Sequence, residues 1–246
     1  MSGSVTYEVD GDVAVVTLRR PDKLNALSPQ MVDDLQKIWQ RFADGGERAA
    51  VLTSEGERSF CAGIDLGDVT HDMWRCVPGL SVDLDKPVVA AVSGHCIGAG
   101  WVLAQYSDLI VATETAKFAY PEGRVGAFGG LASGIVARVP QKVAAEFLML
   151  GEPIPAARAY DVGMINAVVA PGEHVAKAMD WARKLAASAP LVIRTAKALV
   201  DQHVGQAAVE QHVRTARLLG RVSSSEDLQE GLAAFRERRE PHFRGR

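Results

Sequence analysis

Pro87-Val88-Val89-Ala90-Ala91-Val92-Ser93-Gly94-His95-Cys96-Ile97-Gly98-Ala99-Gly100-Trp101-Val102-Leu103-Ala104 reads as strand, glycine loop and helix in succession. Residues 87–92 form a continuous apolar run of the kind that suits a strand covered on both faces. The helix opens after Gly98-Ala99-Gly100. Its first N–H groups have no partner within it, and the positive end of its dipole lies there. A strand feeding a helix through a glycine turn is a building unit of α/β folds.

A second stretch has the same design. Phe60-Cys61-Ala62-Gly63-Ile64-Asp65-Leu66 follows the apolar run at residues 49–53. Either loop alone also reads as a tight turn that needs glycine for steric reasons. Together, two such loops can aim two backbone N–H donors at one oxygen, which is how an oxyanion hole is built.

Working outward, residues 5–9 and 13–18 read as a hairpin with Asp10-Gly11 as its turn. Ser28 is a good N-cap for a helix whose apolar stripe is Met31, Leu35, Ile38 and Trp39. Residues 67–84 are irregular and hold His71, Trp74 and Cys76, a mix that suits a pocket wall as well as a surface helix. Residues 109–113 form another strand, so strands and helices alternate and the class is α/β. Beyond about residue 140 the helical pattern takes over, at 143–150, 156–162, 173–188, 191–204, 207–221 and 226–239. The last of these carries Leu228, Leu232 and Phe235 on one face.

The 246 residues suffice for one large domain or two small ones. A net charge of -3 argues against a general polyanion binder, so no nucleic-acid partner is expected. Three cysteines make no disulfide framework and suit a reducing, cytoplasmic setting. They also lack the spacing of a zinc site. No apolar run reaches about 18 residues, so no membrane partner is expected. His95 and Cys96 are adjacent, but neighbours in a chain usually point apart, which favours packing over a nucleophile pair. Asp108 reads as a buried structural carboxylate. The fingerprints of nicotinamide, ATP and hydrolase-triad sites are missing.

Four segments, in order, resemble the crotonase superfamily, also called the enoyl-CoA hydratase/isomerase family. They are Arg20-Pro21-Asp22-Lys23-Leu24-Asn25-Ala26-Leu27-Ser28, residues 56–66, residues 86–100, and Gly231-Leu232-Ala233-Ala234-Phe235 with Arg238-Arg239-Glu240-Pro241. The resemblance covers nearly the whole chain. It implies a ClpP-like α/β spiral of ββα units, with residues 1–190 as the core that holds an acyl-CoA site. Residues 191–246 would be a helical region that makes homotrimers, often paired into hexamers.

The resemblance also implies site roles. Ile64 and Ala99 would donate their N–H groups to the thioester oxygen of an acyl-CoA. Lys23, Leu24, Ala26, Ala62, Gly63, Asp65, Leu66 and Gly98 would cradle CoA and the loop around it, joined by Phe235 and Arg238, sometimes from a neighbouring subunit. CoA enters as part of the substrate, so no separate cofactor is expected. Hydratases of the family use two glutamates; at the first position this chain has Val102, and Tyr120-Pro121-Glu122 matches the second. Glu122 is therefore the expected acid/base, with a pKa raised by an apolar pocket. After it come Gly123-Arg124-Val125-Gly126-Ala127-Phe128-Gly129-Gly130, where the family's glycines persist in a shifted register.

The function expected is enolate chemistry on an acyl-CoA thioester. Hydration of a 2-enoyl-CoA and movement of the double bond stand level. Two other readings stay beside it: an acyl-CoA-binding member of low activity, and a C–C bond hydrolase acting on a diketone.

Overall fold

The computed structural model describes residues 4–69, 72–124, 126, 129–204 and 208–246. The chain divides into two compact units, Met1–Ala207 and Ala208–Arg246.

The first unit holds two sheets. The larger contains β1 (Ser4–Asp10), β2 (Val13–Arg19), β3 (Ala49–Ser54), β5 (Val88–Val92), β7 (Leu109–Thr113) and β10 (Ala167–Val169), in that spatial order. The smaller contains β4 (Ser59–Cys61), β6 (His95–Ile97), β8 (Lys117–Ala119) and β9 (Ile154–Pro155), again in chain order. The chain thus places β3, β5 and β7 in the large sheet and follows each with β4, β6 and β8 in the small one. This is a spiral of repeated ββ steps, with α2 (Ala99–Gln105) and α3 (Gln141–Leu150) following β6 and β8.

The β1–β2 hairpin pairs Asp10 with Val13, so its two turn residues are Gly11 and Asp12, one position later than the sequence suggested. Gly11 has φ +60, a value that glycine adopts without penalty. Helix α1 (Pro29–Asp44) starts where expected: Ser28 Oγ accepts the Met31 N–H, and Pro29 takes the first turn. The central strands β3 and β5 are buried along their whole length. One face of the sheet presents Val13, Val51, Val89 and Val111, and α5 (His174–Ala187) covers it with Ala178, Met179, Ala182 and Ala186.

Helices α4 (Ala156–Asp161) and α6 (Pro190–His203) complete the first unit. Helix α6 groups with this unit, whereas the sequence began the tail at residue 191. Asp108 has the backbone partner expected of a structural carboxylate but is not fully buried: its side chain is 23% exposed ahead of β7, accepts the Val88 N–H at 2.8 Å and pairs with Lys197.

The second unit contains α7 (Ala208–Ser223) and α8 (Glu226–Glu237). Ser225 caps α8 by accepting the Leu228 N–H. The terminal residues fold back on it: Asp227 accepts the Arg244 and Gly245 N–H groups, and Glu230 accepts that of His242. Among the described residues, no helix is long and apolar enough to cross a membrane.

Candidate active site

The site forms where the small sheet ends. Strands β4, β6 and β8 run parallel, each only three residues long, so the loops that leave them emerge side by side. Those loops carry Gly63-Ile64, Gly98-Ala99 and Glu122.

The first loop is welded to the segment that precedes α1. Leu27 N–H donates to Gly63 O at 2.8 Å, and Asp65 N–H donates to Leu27 O at 2.9 Å. In this parallel bridge Leu27 spends both backbone groups, so the N–H of its partner Ile64 faces the other way. Among the described residues the Ile64 N–H has no hydrogen-bond partner. Ala62 N–H donates to Leu24 O, and the Ser59 hydroxyl donates to the same oxygen at 2.9 Å.

Asn25 lies beneath this weld, 1% exposed. Its side-chain N–H groups reach Glu55 O and Ser59 O, and its oxygen accepts the Arg20 N–H. Leu24 and Asn25 both have left-handed backbones, φ +52 and +56. Successive non-glycine residues seldom adopt that conformation, and the surrounding bonds hold it in place.

The second loop approaches closely. Gly98 has φ +57 and ψ -116, a conformation for glycine alone, and donates its N–H to Ala119 O of β8 at 2.9 Å. A Cβ on Gly98 would lie 3.7 Å from Gly63 Cα and would collide with Glu122 Oε1. A Cβ on Gly63, whose φ is +105, would lie 3.9 Å from Ala99 N. Gly63, Gly98, Ala99 and Glu122 therefore meet at one place. Ala99 is the first residue of α2, whose leading N–H groups have no helical acceptor.

Helix α2 is held by aromatic contacts. Trp101 meets Phe118 and Phe147 edge-on, with ring centroids 5.6 and 5.3 Å apart. Val102 is buried beside it, and the helix sequence AGWVLAQ contains no ionisable side chain.

Glu122 opens a short 3-10 turn just after β8. Burial raises its pKa from 4.5 to about 7, partly offset by its own backbone N–H. Among the described residues its buried Oε2 has no hydrogen-bond partner. Tyr120, two residues earlier, accepts the Gly129 N–H and donates to Gly129 O. Burial, then the nearby Glu122 carboxylate, push Tyr120 up to about 12, so it stays protonated.

The remaining expected positions are distributed as follows. Asp65 is occupied: the Gly67 N–H and the Arg20 guanidinium, 2.7 Å away, hold its carboxyl below the ordinary range. Arg20 also donates to Ala26 O, and Ala26 N–H donates to Lys23 O, so most of this cradle's polar backbone is already bonded. Lys23 and Leu66 are exposed. Phe235 and Arg238 belong to the second unit, both exposed, on α8 and at its left-handed end. His71, Val125, Ala127 and Phe128 lie outside the described residues; Trp74 is half-buried in the short turn Met73–Cys76. Cys96 is fully buried with its thiol pushed well up, so it packs in the small sheet and is no nucleophile. Asn25 and Arg20 stand in the first resembling segment, but sequence reasoning assigned them no role; the signal was an amide placed between two apolar residues.

A family model described as enoyl-CoA hydratase/isomerase matches residues 8–246. The chain is 35% identical over 259 residues to (E)-benzylidenesuccinyl-CoA hydratase of Thauera aromatica, covering 98% of this chain and 99% of the relative. It is 34% identical over 265 residues to carnitinyl-CoA dehydratase of Proteus mirabilis, covering 100% of both. The crystal structure of carnitinyl-CoA hydratase from Mycobacterium avium superposes with a TM-score of 0.77 at 34% identity, covering 100% of both chains. The chain belongs to the enoyl-CoA hydratase/isomerase family and has the crotonase fold.

Proposed function

We propose that the Ile64 and Ala99 amides share the carbonyl oxygen of an acyl-CoA thioester and that Glu122 moves a proton at the carbon beside it. The observation that carries this reading is the Glu122 carboxylate seated against Gly98, with one oxygen that has no hydrogen-bond partner among the described residues. Removing a proton α to a thioester puts negative charge on the carbonyl oxygen. Two preorganised N–H donors stabilise that charge by several kcal/mol, roughly 3 for each donor.

A pKa near 7 suits the task. Both forms of Glu122 are populated at neutral pH, so the carboxylate can take a proton and the acid can return it. Helix α2 supplies no second acid or base. One carboxylate suffices to move a double bond: it removes an α proton from a 3-enoyl-CoA and returns it at the γ carbon, leaving the 2-enoyl-CoA.

A second reading, reversible hydration, is favoured by the relatives named as a hydratase and a dehydratase. There Glu122 gives its proton to the α carbon and takes back the proton that the attacking water loses as its oxygen bonds the β carbon. The acyl-CoA class itself is supported by those same names. Lys23, exposed on the welded cradle, has the charge that suits the phosphates of CoA. Phe235 and Arg238 as CoA contacts, and assembly as a trimer or dimer of trimers, are supported by the resemblance of residues 231–241.

Mass spectrometry of 2-enoyl- and 3-enoyl-CoA panels incubated in D2O tests the proposal. A shifted double bond with no added water establishes isomerisation. A gain of one water with deuterium at the α carbon establishes hydration. Neither change, with CoA thioesters still bound, overturns both and leaves a binding protein.

A further inference from the structure

Cys61, at the end of β4, touches both donor loops. Its thiol donates to Gly63 O at 3.6 Å, the same oxygen that accepts the Leu27 N–H at 2.8 Å. Its Cβ lies 2.8 Å from where a Cβ on Gly100 would stand, and its carbonyl oxygen is closer still. Gly100 directly follows Ala99. Cys61 is fully buried, and burial pushes its thiol up to about 12, so it remains a donor.

Gly63 C=O and Ile64 N–H belong to one planar trans peptide and point in opposite directions. Donors that hold the carbonyl therefore also aim the N–H. They polarise the amide too, which strengthens that N–H as a donor.

We infer that Cys61 is a positioning residue for the reaction: its thiol sets the plane of the Gly63–Ile64 peptide and so aims the Ile64 amide at the oxyanion. The inference rests on Ile64 and Ala99 being the donors. Such donors act when they lie about 2.7–3.1 Å from the developing oxyanion. A small change of spacing therefore costs rate, while CoA binding elsewhere is kept.

The test compares Cys61→Ala, Cys61→Ser and Cys96→Ala on the enoyl-CoA that the wild type turns over. Cys96 stands opposite Cys61 in register and is equally buried, so it controls for lost packing. In Cys61→Ala, kcat should fall about tenfold with KM within about twofold. Cys61→Ser, with a hydroxyl donor, should recover most of that loss, and Cys96→Ala should stay within about twofold of wild type. Wild-type kcat in Cys61→Ala, equal losses in Cys61→Ala and Cys96→Ala, or no recovery with serine overturns the inference. Should Cys61→Ala not fold, the carbonyl 13C shift of Gly63 decides the matter. It should differ between Cys61→Ser and wild type, and an unchanged shift overturns the role of the thiol. A wild type that turns over no enoyl-CoA removes the donor reading itself, and Cys61 with it.

Discussion

Glu122 Oε1 occupies the place where a side chain on Gly98 would begin. The glycine at this position is thus required twice, by its backbone angles and by the carboxylate lying over it. Gly98→Ala should abolish turnover, by about 100-fold or more, and lower Tm as well, because the methyl group must displace Glu122 or the loop. Turnover and melting measured on the same sample check both parts.

Glu122→Gln separates chemistry from binding. Turnover and α-proton exchange in D2O should drop about 1,000-fold, the usual scale for losing an acid/base group. Affinity for the acyl-CoA, read by calorimetry, should stay within a few-fold, since glutamine keeps the shape of the side chain.

The raised pKa of Glu122 has two consequences with definite signs. For α-proton abstraction the ionised form is needed, so kcat/KM should rise with pH through about 7 and then level off. For stability, the folded chain binds the proton more tightly than the unfolded chain, whose glutamate titrates near 4.5. The benefit of the neutral acid is present below the unfolded value and is lost as pH rises through about 7. Glu122→Gln should therefore melt about 2–4 °C above wild type at pH 8, with the gap closing toward pH 4.5.

Asn25→Ala should destabilise the chain by about 3 kcal/mol, because the Glu55 and Ser59 carbonyls and the Arg20 N–H lose a buried partner and a left-handed backbone loses a residue that tolerates it. Urea unfolding should show a lower midpoint with an unchanged slope.

Asp65→Asn tests whether the welded cradle serves CoA. Losing the charge opposite Arg20 loosens the turn at Gly67 and the segment around Lys23. KM for the acyl-CoA should rise several-fold with kcat within about twofold, whereas a cradle without a role in CoA binding would leave KM unmoved.

The long elements were legible because their patterns are local. The alternation in β2, the apolar runs of β3 and β5, the cap at Ser28 and the stripes of α1 and α5 each lie within one stretch of chain. Strands β4, β6 and β8 were missed as strands: three residues carry no periodicity, and pairing with one another defines them. Lys86 shows the same limit. A lysine before a strand looks solvent-facing, yet its ammonium is buried and donates to Phe42 O and Gly45 O at the end of α1.

By itself the sequence determined the α/β class, the two glycine loops and the Pro-Glu step, because turn chemistry and apolar runs are written in neighbouring residues. Only the tertiary structure decided that Gly63, Gly98, Ala99 and Glu122 share one place, that Asp65 is spent on Arg20, and that Asn25 and Cys61 brace the loops. These contacts join residues far apart in the chain. They arise from parallel pairing of three short strands, which no local pattern encodes.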